Sequence, residues 1–167
     1  MSDNPTENKS HQAIELPLTG TGTQPVTIAQ MLEQGQALFD QSGLYFGHGT
    51  DNSWDEAVYL LSYVLDLGPN ADRSLLEKPL SEQQQKAIED LYARRINERI
   101  PAPYLTGRAW FCGLPFNVDQ RVIIPRSPIA ELIMSGFQPW CANEPSRVLD
   151  LCTGSGCIGI ACAYAFE

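Results

Sequence analysis

Apolar positions recur at helical spacing in three stretches of the first hundred residues. In TIAQMLEQGQALFDQSG, Ile28, Met31, Leu32, Leu38 and Phe39 share one face. Thr27 is placed to cap that helix, and Ser42-Gly43 to end it. The second stretch begins with Ser53 and Glu56, spaced as a capping box. It continues with a stripe of Trp54, Ala57, Leu60, Leu61, Val64 and Leu65, and Gly68-Pro69 is expected to stop it. The third starts at Ser81 with Gln84 three residues on. It turns Ile88, Leu91, Tyr92 and Ile96 inward and ends before Pro101. A short turn at ADRSLLE joins the second and third.

At Pro101 the pattern changes to aromatic and β-branched residues broken by Gly113, Pro115 and Pro125. YLTGRAWFCGLPFNVDQRVIIP predicts a hairpin with a strand near 108–112, a turn at Gly113-Leu114-Pro115, and strands near 116–118 and 121–124. Ser127 as N-cap and Pro128 at the first helical position then open a helix that buries Ile129, Leu132, Ile133 and Phe137. Last comes RVLDLCTGSGCIGIACAYA, in which an apolar strand Arg147–Leu151 meets a glycine turn and a helix from Cys157 to Phe166. Residues 1–26 are rich in polar residues, Gly and Pro and are expected to form a disordered tail. The expected organisation is therefore a tail at 1–26, a helical bundle at 27–106, a β-hairpin linker at 107–125, and the first βα unit of an α/β fold at 126–167.

Eleven basic residues against 20 acidic ones give a net charge of −9. This argues against direct binding to DNA or other phosphate backbones and leaves a basic protein as a favoured partner. No run of about 18 apolar residues is present to span a membrane. The polar N-terminus is not a secretory signal, so a cytoplasmic location is expected. Cys112, Cys141, Cys152, Cys157 and Cys162 are odd in number and form no C-x-x-C pair. They are expected to be small buried hydrophobes, with no disulfide framework or metal site.

The chemistry concentrates in the glycine turn. No Gly-Lys-Ser/Thr follows it, which excludes a phosphate-binding P-loop. GSGCIG, from Gly154 to Gly159, matches the dinucleotide pattern G-x-G-x-x-G. S-adenosylmethionine fits as well, because it needs backbone room and an acidic group near its cationic end, and Asp150 closes the strand four residues before Gly154. A purely structural turn stays open. Asp150 can equally complement the following helix dipole, and Thr153 and Ser155 can cap that helix. His48, in a Gly-rich loop with Thr50 and Asp51, is expected to be structural. Trp54 and Trp110 are expected in the core, and a surface pairing with Glu131 is open to Arg126.

VLDLCTGSG resembles the first motif of Rossmann-like methyltransferases, and VIIPRSPIAELI upstream resembles the Ile-Pro-Arg segment of the protein-glutamine methyltransferases that modify release factors and ribosomal proteins. Ser127-Pro128-Ile129 stands where that segment of the release-factor branch continues Pro-Glu-Thr-Glu, and Cys152 stands where its glycine turn opens with Gly. These choices, with FGHGTDNSWDEAVYL, resemble the branch that methylates a glutamine of the third large-subunit ribosomal protein. The resemblance implies S-adenosyl-L-methionine as cofactor, with Asp150, Cys152, Thr153, Gly154, Ser155 and Gly156 around it and the Arg126 segment lying over the pocket. It implies an α/β Rossmann-like methyltransferase domain of which this chain holds only the start. Cys152, bulkier than the usual glycine, is then expected to avoid a positive φ. The family's Asn-Pro-Pro-Tyr acceptor motif is absent, so no catalytic residue is expected here, and the chain is expected to be a truncated, inactive portion of the enzyme. A non-catalytic ribosomal-protein-binding module and a fragment of an NAD-dependent oxidoreductase are the rival readings.

Overall fold

The computed structural model describes residues 25–68 and 71–166. The expected tail falls outside them except at its last two residues. Val26 is held in place: its carbonyl accepts from the Leu80 amide at 2.8 Å, and Ile28 N–H donates to Lys78 O at 3.0 Å.

Four helices build the larger core: α1 (Ile28–Gln41), α2 (Ser53–Val64), α3 (Glu82–Asn97) and the short α4 (Ala102–Thr106), with a 3₁₀ turn at Arg73–Glu77. Thr27/Gln30 and Ser81/Gln84 make reciprocal capping boxes on α1 and α3. Met31, Phe39, Leu60, Leu61, Ile88 and Tyr92 are fully buried between them. Gly35 lets α1 and α3 approach, since a Cβ there would lie 2.5 Å from the Tyr92 ring.

Both expected ends of α2 shift. Its cap is Asn52, whose side chain accepts from Asp55 N–H, and Ser53 is buried as the first helical residue. Its stop is Asp66, two residues before Gly68. Asp66 adopts φ 50°, its N–H bonds Tyr63 O, and Leu67 N–H reaches back to Ser62 O. That is the paired bonding of a Schellman motif, with aspartate in the left-handed position usually held by glycine. Trp54 lies on the outer side of the first turn, 38% exposed, rather than in the core. The sequence pattern also gave no sign of α4, which Gly107 ends in a left-handed conformation.

The hairpin pairs β1 (Arg108–Phe111) with β2 (Leu114–Asn117). Its turn is Cys112-Gly113, both with positive φ (49° and 76°), which is the two-residue geometry that suits strand twist. Pro115 is therefore in the strand, not the turn. It faces Trp110 at a non-hydrogen-bonded position, where its missing N–H costs no ladder bond. The expected strand at 121–124 does not form. Ile124 is buried beside Ala109 and Val118, and Tyr104 Oη donates to Val122 O at 2.7 Å, so side chains and the hydroxyl fix this segment instead of a ladder.

A second cluster joins Phe111 of the hairpin to Ile133 of α5 (Ile129–Met134) and to Cys157, Ala161 and Cys162 of α6 (Cys157–Ala165). α5 starts after Pro128, and Ser127 Oγ accepts from Ile129 N–H at 3.2 Å. The expected strand Arg147–Leu151 pairs with nothing among the described residues, and Leu149 and Leu151 are 80% and 75% exposed. An isolated extended segment has no ladder to define it as a strand. Among the described residues the architecture is thus mixed helical with one two-stranded antiparallel sheet. No described helix is long and apolar enough to cross a membrane. All five cysteines are free, but only Cys157 and Cys162 are buried. Cys112 and Cys141 are half-buried and Cys152 is exposed, which corrects the expectation that all are core residues.

Candidate functional site

The glycine turn is a backbone structure built on alternating left-handed residues. Cys152, Gly154 and Gly156 have φ 58°, 57° and 75°. The positive φ at Cys152 overturns the expectation from its size, and it shows what the glycine that usually stands there supplies. Gly156 N–H closes the turn onto Thr153 O at 2.9 Å, and Thr153 Oγ1 donates to Asp150 O at 3.1 Å. Ser155 Oγ accepts from Cys157 N–H at 3.4 Å, at the very start of α6.

Asp150 reaches across the turn. Its Oδ2 accepts the Gly159 amide, in the first turn of α6, at 3.1 Å, so the carboxylate stabilises the positive end of that helix. Gly159 makes this possible, since a Cβ there would stand 3.2 Å from Oδ2. Asp150 Oδ1 makes no hydrogen bond among the described residues. A Cβ on Gly154 would meet nothing within 4 Å, so the outer side of the turn is open. The turn thus leaves one carboxylate oxygen and its own outer side accessible.

Arg126 does not join this group. Its Nη1 donates to Gly47 O at 2.5 Å, and the ion pair with Glu131 does not form. That bond ties the Ile-Pro-Arg segment to the loop before α2. In the same loop His48 stacks edge-on against Tyr45, with ring centroids 5.7 Å apart, and its buried Nδ1 has no hydrogen-bond partner. Burial first, then Arg126 and Arg95, lower the His48 pKa. Arg95 is buried and donates to both oxygens of Glu56, at 2.6 and 3.4 Å, and to Tyr45 O at 3.0 Å. The sequence reading missed this pair. Two charged residues on otherwise apolar helical faces were its only signal.

A groove of about 550 Å³ opens between α2 and β1, lined by Tyr59, Tyr63, Arg108 and Trp110 among others. Tyr59 Oη donates to Arg108 O at 2.5 Å and fixes its floor, and burial raises the Tyr59 pKa. Trp110, expected in the core, is 44% exposed at this groove.

Residues 30–107, the helical part of the chain, match the PrmC N-terminal domain. The chain is also 46% identical over 139 residues to the ribosomal protein uL3 glutamine methyltransferases of two Xylella fastidiosa strains, Temecula1 and 9a5c. These matches cover 83% of this chain and 45% of each relative, so the chain spans about half the length of the curated relatives it matches.

Proposed function

We propose that the chain is the N-terminal part of a cytoplasmic, S-adenosyl-L-methionine-dependent methyltransferase that modifies the side-chain amide nitrogen of a glutamine in ribosomal protein uL3. The observation that carries this reading is the 46% identity over 139 residues to relatives that bear that name. In this reading residues 27–106 recognise the substrate, 107–125 link, and 126–167 begin a Rossmann-like methyltransferase domain. Arg147–Leu151 becomes a central strand once neighbouring strands pair with it.

The cofactor supplies an electrophilic methyl group on a sulfonium. Asp150 holds the cationic end by charge while its other oxygen stays on Gly159, and Gly154 and Gly156 let backbone approach closely. Cys152, Thr153 and Ser155 shape the turn. Arg126, anchored on Gly47, fixes the segment that roofs the pocket. An amide nitrogen is a weak nucleophile, so transfer rests on positioning and electrostatics from residues that this chain does not carry.

The test joins this chain to the C-terminal part of a Xylella relative that it does not span. The chimera is expected to transfer tritiated methyl to uL3, and the 167-residue chain alone is expected to transfer none. Gly154→Val in the chimera should abolish calorimetric binding of S-adenosylmethionine while leaving the circular dichroism unchanged. Undiminished cofactor affinity would remove the turn from the site, and methylation by the chain alone would refute the placing of the acceptor chemistry elsewhere.

A further inference from the structure

The groove between α2 and β1 lies apart from the glycine turn, and its chemistry is specific. Its volume of about 550 Å³ falls within the roughly 300–1,000 Å³ of ligand-sized clefts. Tyr63 and Trp110 stand 46% and 44% exposed along it, so both rings are open to a partner. Asp51, Asp55 and Asp66 line it with them. The ion pairs among the described residues are Arg94–Glu98, Arg95–Glu56 and Arg121–Asp119, so none of these three carboxylates is neutralised. Asp55 accepts from Asn52 Nδ2 at 2.8 Å through one oxygen only. Among the described residues Arg108 is the one cation in the lining, and it presents hydrogen-bond donors without acceptors.

We infer that this groove seats an extended, Lys- and Arg-bearing segment of the acceptor protein. The identity of that protein as uL3 rests on the function proposed above. The chemistry of the groove does not. Cationic side chains meet the free carboxylates and lie over the Trp110 and Tyr63 rings. Apolar stems cover Val58 and Leu67, and backbone carbonyls of the segment take the Arg108 donors. A second copy of this chain, at net charge −9, is repelled from the same surface, and so is RNA.

The test uses the 167-residue chain and fluorescein-labelled synthetic peptides tiling a bacterial uL3, read by anisotropy. Controls are the same peptides with Glu in place of Lys and Arg, and a single-stranded RNA of equal length. The basic peptides are expected to bind, and the double change Asp55→Asn with Asp66→Asn to weaken them about tenfold, from two lost charge pairs in a partly desolvated groove. Asparagine tolerates the left-handed Asp66 position, so the helix end is kept. Asp90→Asn, an exposed acid on α3 outside the groove, removes a charge without touching the lining and should leave affinity intact. Ser62→Phe, which fills the groove without changing charge, should abolish binding. Equal weakening by Asp90→Asn, undiminished binding in the double variant or in Ser62→Phe, or preference for RNA or for the Glu-bearing peptides would overturn the inference. A chimera that methylates uL3 with an inert groove refutes the groove alone. Peptide binding without any methylation by the chimera refutes the enzymatic reading alone.

Discussion

Changing Glu56 to Gln should destabilise this protein more than most single substitutions. The Glu56 and Arg95 side chains are 3% and 4% exposed, so the change leaves a guanidinium with no counter-charge in a place water does not reach. Breaking such a pair from one side costs about 3–5 kcal/mol. Gln keeps an acceptor oxygen near Arg95 Nε, and Tyr45 O still accepts at 3.0 Å, which places the expected loss at about 3 kcal/mol. Against a total stability of about 5–15 kcal/mol that is a large fraction. It should lower the urea midpoint by about 1–2 M, read by far-ultraviolet circular dichroism. Because the pair is buried, added salt should change the loss little. Replacing both residues with apolar side chains, Glu56→Leu with Arg95→Met, should bring stability back to within about 1 kcal/mol of the native chain. A loss below about 1 kcal/mol in the single variant, or a double variant as unstable as the single one, would refute an uncompensated buried charge as the cause.

Gly35→Ala, a change that ordinarily favours a helix by about 1 kcal/mol, should here cost about 1–3 kcal/mol, because its Cβ would lie 2.5 Å from the Tyr92 ring; a raised melting temperature would refute the close approach of α1 and α3. Asp66→Ala should cost about 1 kcal/mol in urea denaturation because φ is 50°, while Asp66→Gly should cost nothing; equal losses would refute the left-handed helix end. The lowered His48 pKa means that the unfolded chain binds this proton more readily than the native one, so its contribution is fully present above the unfolded value near 6.5 and is lost as pH falls through the native one. His48→Gln should flatten the fall in unfolding free energy below that pH, and an unchanged slope would exclude His48 as its source.

Helical periodicity made α1, α2 and α3 legible because each buries one stripe and carries a cap within four residues of it. What escaped were features decided by tertiary partners. Ser53 satisfies the capping-box pattern, yet Asn52 takes the cap, because burying Ser53 and Glu56 brings the carboxylate onto Arg95 thirty-nine residues away. Trp54 and Trp110 have the size of core residues, but Trp54 lies on the outer side of α2 and Trp110 on the wall of the groove, and both stay partly in solvent. The stretches at 121–124 and 147–151 have strand composition, but a strand exists only where a neighbour takes its hydrogen bonds, and no composition supplies that neighbour.

The candidate site divides along the same line. Asp150, Gly154 and Gly156 were readable because a carboxylate before a glycine turn has few local uses. The use the structure displays, an acceptor for the Gly159 amide, explains the third glycine of GSGCIG without any ligand. A structural role and a cofactor role are therefore not rivals at Asp150. The Gly159 amide occupies Oδ2 and holds the carboxylate in one orientation, which leaves Oδ1 directed by the same bond and spares a ligand the entropy of ordering it. Cys152 shows the reverse. Its bulk argued against a positive φ, but Gly156 N–H must meet Thr153 O within a turn whose residues alternate in hand, so closure of the turn overrides the preference of the residue. That places the strain of about 1–2 kcal/mol that a left-handed side chain carries directly beside the open face of Gly154. In the function proposed above, this open face and the negative charge of Asp150, two residues before Cys152, receive the cationic end of the cofactor.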